Sequence, residues 1–342
     1  MIAAVAVTLA ACGRHRATPP PAKPPAQRAF YYWRTTLALG AAERAALVDL
    51  HVDTLYLRLF DVGWTDTGPT LLGPLVAERA ALPAGPAVVP TVFLTNQLFA
   101  KLDDAGVGPL ADLVAREVTA RAAALGVTPR QVQLDCDWTD TTRARYFAFL
   151  TALRPRLAAG TTLSATIRLH QVKYRERTGV PPVDRGMLMF YNMGKFSADP
   201  EARAIFDARA AARYLARLAD YPLPLDGALP IWSWVIQLRD DVVVGLMQST
   251  DPDELAGLDF VRPVGPDRYQ VTRPTFLHGT FVRGGDILKI EVTGPTETLA
   301  AARMLTAHLA PTPRTIALFD LSERNLARHG TAHLDQVFQT AR

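Results

Sequence analysis

The stretch Val132-Gln133-Leu134-Asp135-Cys136-Asp137-Trp138 decides how this chain reads. Its residues alternate strictly: Val132, Leu134, Cys136 and Trp138 fall on one face, Gln133, Asp135 and Asp137 on the other, which is the period of a strand. Helical runs at 110–125 and 141–157 bracket it, so it is one strand between two helices. Working outward, the same alternation recurs along the chain. Strands are expected over 30–34, 54–60, 87–94, 132–138, 163–169, 186–191, 228–234 and 315–319. Helices are expected over 41–50, 110–125, 141–157, 202–219 and 296–309, the last entered through Thr293-Gly294-Pro295 with Glu297 in its first turn. Eight alternations in one chain predict an α/β fold, a (β/α)8 or TIM barrel. One connection is out of scale: 235–293 contains short strand patterns at 242–244, 268–272, 275–282 and 287–292. Gly265-Pro266-Asp267, His278-Gly279 and Gly284-Gly285-Asp286 supply the turns. A small β-rich insertion over 241–293, between strand 7 and helix 7, is therefore expected at the C-terminal rim, either walling a cleft or decorating the barrel.

Composition bounds the function classes. The chain has 342 residues, 49% of them hydrophobic, 20% charged and 8% aromatic, which excludes a disordered tail, a collagen rod and a disulfide mini-protein. Its 37 basic residues are mixed with 33 acidic ones, and no Lys/Arg block is interleaved with aromatics, so no nucleic acid is expected as a partner. Residues 2–11 are apolar and uncharged, the length of a signal-peptide core and too short to span a bilayer. They run into Leu9-Ala10-Ala11-Cys12-Gly13, which resembles the lipobox of bacterial lipoproteins, although no Lys or Arg precedes the apolar run. The resemblance implies a signal peptide over 1–11, lipidation of Cys12 and membrane anchoring. The alternative is a hydrophobic N-terminus with an incidental cysteine. Residues 12–28, with five prolines between 14 and 27, then form an extended tether to a barrel over 29–342. Gly13 rather than Asp after the cysteine points, by the same resemblance, to a cell-envelope lipoprotein of the outer membrane, on its periplasmic or surface face, in a Gram-negative cell. An acylated Cys12 leaves Cys136 without an intrachain disulfide partner.

Every barrel strand delivers its last residues to one rim. The first strand ends in Trp33-Arg34, the second in Arg58-Leu59-Phe60-Asp61, the third in Thr95-Asn96-Gln97. The fourth brings Asp135 and Asp137, the fifth Arg168 and His170 at i and i+2, the sixth Met189-Phe190-Tyr191-Asn192. Trp232-Ser233-Trp234 closes the seventh, and Phe319-Asp320 the eighth, with Glu323 beyond. Carboxylates, arginines, a histidine, a tyrosine and tryptophans converging on one pocket suit sugar chemistry. Indole faces stack on sugar rings, and a close carboxyl pair can split its pKa values so that one stays protonated. The bland alternatives are an Asp135/Asp137 ion pair with Arg58 or Arg168, a satisfied rim histidine at 170, and Trp232 and Trp234 as core filler.

The fourth strand resembles that of the chitinase-like barrels of glycoside hydrolase family 18, which carry D-x-x-D-x-D-x-E there. Asp135 and Asp137 match the two inner aspartates, whereas Val132 and Thr139 stand where the family has its first aspartate and its glutamate. Met189-Phe190-Tyr191-Asn192 has the form of the family's Met-x-Tyr-Asp/Asn motif, and many members carry an insertion after the seventh strand. The Leu-Asp-Cys-Asp-Trp strand is also similar to that of a group of bacterial barrel lipoproteins. In the family the glutamate is the general acid and the neighbouring aspartate orients the substrate's N-acetyl group. Thr139 cannot donate that proton, so either Asp137, Asp61, Asp320 or Glu323 has taken the role or the barrel binds glycan without cutting it. The resemblance implies Asp137 as acid, Asp135 as its pKa partner or orienting carboxylate, and Tyr191 as hydrogen-bond donor near the reacting carbon. Arg34, Arg58, Asp61, Asn96, Arg168, His170, Asn192, Trp232, Trp234, Asp320 and Glu323 are expected to contact the glycan. Two further classes are a metal-dependent hydrolase on Asp135, Asp137 and His170, for which no H-x-H or H-E-x-x-H spacing exists, and an envelope scaffold. No GxGxxG, P-loop or G-x-S-x-G appears, and Gly108-Pro109 and Gly284-Gly285 read as turns, so no cofactor is expected.

Overall fold

The computed structural model describes residues 26–77, 82–248, 250–310, 312 and 314–341. The expected signal peptide, Cys12 and the tether up to residue 25 lie outside the described residues. In chain order the first half comprises β1 (Gln27–Tyr32), α1 (Ala41–Asp49), β2 (Thr54–Thr65), β3 (Gly68–Leu72), β4 (Ala87–Leu94), α2 (Asn96–Lys101), α3 (Val107–Ala124), β5 (Gln131–Asp135) and α4 (Arg143–Leu153). There follow β6 (Thr162–Arg168), α5 (Leu169–Lys173), α6 (Arg175–Thr178), β7 (Arg185–Met189), α7 (Ala208–Leu215) and β8 (Leu225–Pro230). The insertion strands are β9 (Ser233–Arg239), β10 (Val242–Met247), β11 (Val261–Gly265), β12 (Arg268–Val271), β13 (Thr275–Leu277), β14 (Thr280–Val282) and β15 (Ile287–Val292). The chain ends with α8 (Pro295–His308), β16 (Thr315–Phe319), α9 (Glu323–His329) and α10 (Thr331–Thr340).

Eight parallel strands pair in the order β1-β16-β8-β7-β6-β5-β4-β2, and a β1–β2 pairing closes the circle. Alternation sorts the side chains. Leu55, Leu57, Val92, Leu134, Ile167 and Leu229 pack outward against the helices, while Tyr31, Tyr56, Met187, Met189 and Ala317 fill the interior. Arg185 forms two 2.7 Å bonds to Asp226 inside the barrel, and Asp226 also accepts the Thr315 amide. Higher up, Tyr31 stacks on Tyr56 with ring centres 4.9 Å apart and donates to Gln133 Oε1 at 2.7 Å. The barrel is plugged below its C-terminal mouth, so chemistry is confined to that mouth.

Four local departures from sequence periodicity shape the mouth. Strand β2 slips register between Arg58 and Phe60, continues to Thr65 and returns as antiparallel β3, the turn ending at Gly68 with φ +99°. Strand β6 stops at Arg168, because Leu169 opens α5, so His170 rides on a helix instead of sharing Arg168's strand face. Strand β8 stops at Pro230, and Ser233 already begins the insertion sheet, eight residues ahead of the expected 241. Residues 202–207, expected to be helical, lie ahead of α7 because the insertion pins the segment before it.

The insertion is a five-stranded sheet in the order β10-β9-β15-β12-β11, plus the hairpin β13–β14, over a core of Val235, Met247, Leu255, Val271 and Leu288. Lys289, almost fully buried, donates to the carbonyls of Ser197, Asp199 and Ala202, the last two at 2.8 Å. Glu291 accepts the Ala204 amide and the Trp234 indole, and pairs with Lys289 at 3.3 Å. Charges paired with each other and bonded to backbone in this way tolerate burial, and they fasten the lobe to the segment after β7. Among the described residues no helix is long and apolar enough to cross a membrane.

Candidate active site

A cleft of about 780 Å3 opens at the C-terminal mouth. A side pocket of about 310 Å3 adjoins it and shares Asp137, Arg168, Tyr191 and Asn192. One wall is charged. Asp135, the last residue of β5, is buried and accepts a 2.6 Å hydrogen bond from the Thr166 hydroxyl. Arg168, at the end of the neighbouring β6, places Nη2 3.4 Å from Asp135 Oδ1 and donates from Nε to Asp137 Oδ1. Asp137 has left the strand and its side chain is 54% exposed to the cleft. Burial raises the Asp135 pKa, Arg168 pulls it down and Asp137 pushes it further up. Burial works against the charge of Arg168, yet Asp135 and Asp137 outweigh it and the guanidinium stays protonated more firmly than usual. Cys136 points the other way, buried among the outward-facing core residues, and Trp138 stacks on Tyr146 there.

Tyr191 follows β7 and projects inward beside Arg168; burial raises its pKa, with Arg168 opposing, and its hydroxyl donates to the Met189 sulfur at 2.9 Å. Asn192 has φ 55°, a left-handed turn that asparagine tolerates better than most residues, and its amide bonds to Ile205 O. An aromatic ridge continues around the mouth. Trp232 meets Tyr191 edge-on at 4.7 Å, Phe319 lies 5.4 Å from Trp232, and Trp33 lies 5.6 Å from Phe319. Trp33 and Trp232 are only partly buried, which leaves area for an apolar sugar face.

The opposite wall is built on β16. Asp320 lines the cleft, half-buried, with one oxygen accepting the Asn325 side-chain amide at 2.8 Å. Burial pushes its pKa up to about 6, Arg34 pulling the other way. Arg34 itself is bonded to the fully buried Glu43 at 2.6 Å and stacks on Tyr32. From the insertion, Trp234 and Gln248 complete the lining.

The structure thus brings together Asp135, Asp137, Arg168, Tyr191, Asn192, Trp232, Trp234, Arg34 and Asp320 at one cleft, with His170 in the side pocket. Four expected contacts fall outside both linings. Arg58 and Asp61 bond each other through two contacts, Nε to Oδ1 at 2.8 Å and Nη2 to Oδ2 at 2.5 Å, beside the register slip in β2. Asn96 opens α2 and accepts the Thr142 hydroxyl, and Glu323 packs against Gly40 at the start of α1. Thr139, in the place of the family's glutamate, has its hydroxyl among those of Thr141 and Thr142 and lines neither cavity. Phe93, Phe319, Ser322, Arg324 and Asn325 also line the cleft. Phe93 and Phe319 were readable by alternation from Thr91 and Ala317, whereas Ser322 caps α9 and Arg324 and Asn325 lie in its first turn, where no strand pattern flags them. Among the described residues no three His, Cys, Asp or Glu side chains are placed to hold a metal ion.

No family model matches the chain and no curated protein sequence matches it. Solved structures do. The spore cortex-lytic enzyme SleL of Bacillus megaterium aligns with a TM-score of 0.57 and 11% identity over 94% of this chain and 75% of that one. A chitinase from Bacteroides thetaiotaomicron gives 0.54 and 11% over 93% of this chain and 97% of the other. A chitinase from Chromobacterium violaceum gives 0.52 and 13% over 92% and 98%. In fold the chain is similar to these chitinase and cortex-lytic barrels, the architecture that its fourth- and sixth-strand motifs implied.

Proposed function

We propose that this chitinase-like barrel hydrolyses glycosidic bonds of an envelope or environmental polysaccharide at the cleft between β5 and β16. The observation that carries the reading is the juxtaposition of an ion-paired carboxyl dyad, Asp135 and Asp137 on Arg168, with a ridge of partly exposed aromatic rings in one cleft. The ridge supplies stacking area for sugar rings, and the dyad supplies the charge on which a developing oxocarbenium ion would rest. Asp137, exposed to the cleft, is the carboxylate that reaches the reacting sugar. Asp135 and Arg168 fix its orientation, and Tyr191 stands beside them as a hydrogen-bond donor. The chitinases and cortex-lytic enzyme that share the fold suggest N-acetylated glycans, chitin and peptidoglycan, as the first substrates to offer.

A second reading, a barrel that binds glycan without cutting it, is favoured by one observation: the residue in the place of the family's acid is a threonine whose hydroxyl is engaged by other threonines. One experiment separates the two. The full chain is titrated with chitin oligosaccharides and with peptidoglycan fragments while heat and new reducing ends are followed together. Heat with product supports hydrolysis; heat without product at any incubation time makes the barrel a lectin-like binder. We further propose that Cys12 is acylated and tethers the barrel to the envelope. A labelled fatty acid incorporated by the wild type and not by Cys12→Ala supports this, and equal labelling of both contradicts it.

A further inference from the structure

Resting on the hydrolytic reading, the structure raises the question of where the leaving-group proton comes from, since the Thr139 hydroxyl is too weak an acid and lines neither cavity. The closed strand order places β16 four strands from β5 in either direction, so Asp320 and the Asp135/Asp137 dyad face each other across the full width of the mouth. Both line the same cleft. Their surroundings differ. The dyad shares a guanidinium, which opposes the upward push of burial on Asp135. Asp320 has no ion-pair partner among the described residues. Arg34, a cation that bears on it, is committed to the buried Glu43, and the side-chain group bonded to its carboxyl is the neutral amide of Asn325. The charged and titratable groups that bear on it are Arg34 and Tyr32 around the end of β1 and Glu43 on α1, with Arg324 of α9 lining the same cleft. Phe319 and Trp33, in ring contact with each other, line the same cleft.

We propose that Asp320 is the general acid of this barrel, placed just after the eighth barrel strand instead of after the fourth, with Asp137 as its partner carboxylate across the sugar. In the step, Asp320 gives its proton to the glycosidic oxygen as the C1–O bond breaks. A water held by Asp137 adds to C1 and leaves its proton on Asp137. The two carboxyls then re-equilibrate with solvent, so one glycosidic bond and one water become two hydroxyl-bearing sugars. The upward shift of Asp320 agrees with this role, because a group that titrates near 6 carries protons in the range where an acid catalyst is useful.

The test compares two leaving groups. A natural linkage leaves as a poor alkoxide and needs the acid, whereas a 4-nitrophenyl glycoside leaves without it. Asp320→Asn is expected to lower kcat on a chitin oligosaccharide by about 100-fold or more, the usual size of a lost general acid, with KM little changed, while its rate on the nitrophenyl glycoside stays within about 5-fold of wild type. The wild type should also lose oligosaccharide activity as pH rises through about 6, and the variant's nitrophenyl activity should not. Retained calorimetric binding shows that the variant is folded, and Asp320→Ser serves as a second variant if the asparagine is not. An equal loss on both substrates, or no loss on either, overturns the inference while leaving the hydrolytic reading intact. A wild type that cleaves neither substrate overturns the hydrolytic reading and this inference with it.

Discussion

Two walls of one cleft carry the same side-chain chemistry in different company. At the end of β5, Asp135 and, just beyond it, Asp137 share Arg168 from the adjacent strand, and Asp135 also takes the Thr166 hydroxyl. Just after β16, Asp320 accepts an amide and feels a guanidinium already bound to Glu43. A carboxyl's role is set by what compensates its charge, and in the proposed mechanism Asp320 carries the proton while Asp137, held by Arg168, is its partner. Arg34, offered by the sequence as a sugar contact, bonds Glu43 at this wall and pulls the Asp320 pKa down against burial.

The comparison can be broken at either wall. The largest effect is expected for Asp137→Asn, which removes the exposed carboxylate while keeping its shape. Turnover of oligosaccharide should fall about 1,000-fold with the melting profile unchanged, as steady-state rates and calorimetry would show. Next is Arg168→Met. Removing the shared cation leaves two carboxyls facing each other, one of them buried, and should cost about 3 kcal/mol in urea unfolding. An unchanged midpoint would mean that the dyad does not depend on the guanidinium. Trp232→Ala touches the ridge that joins the walls and should weaken glycan binding about tenfold without moving the pH profile.

The smallest effect follows from proton linkage. Asp320 has a folded-state pKa of about 6, above its unfolded value, so its contribution to stability is complete below about pH 4 and is lost as pH rises through 6. Asp320→Asn should therefore match the wild type near pH 4 and exceed it by about 1–2 kcal/mol at pH 7, read from unfolding at the two pH values. A variant that is less stable at pH 7 would mean that the wall tolerates the charge.

Much of this was legible in the sequence, for physical reasons that also mark where legibility stops. Each of the eight strand candidates contains or overlaps a barrel strand, because a parallel strand buried on both faces stands out between amphipathic helices. The convergence of Asp135, Asp137, Arg168 and Tyr191 followed from strand ends sharing a rim. Local geometry was hidden. Ile231-Trp232-Ser233-Trp234-Val235 reads as one continuous apolar run, yet the chain leaves the barrel at Pro230 and enters a second sheet at Ser233, each half buried against a different core. His170 was misplaced on a strand because Leu169 suits either conformation. Arg58 and Asp61 sit three residues apart, and the register slip between Arg58 and Phe60 lets them bond each other away from the cleft; no local signal announces such a slip. The clamp from Lys289 to residues 197–202 spans about 90 positions, so no window of sequence contains it.

The central claim is that the two walls act together on a glycosidic bond. It is tested most directly by incubating the full chain with a chitin oligosaccharide in 18O-labelled water and weighing the products by mass spectrometry, beside Asp137→Asn and Asp320→Asn. Shortened sugars carrying one heavy oxygen at each new reducing end are expected from the wild type, and none at comparable times from either variant. Heavy-oxygen products formed equally well by both variants would contradict it.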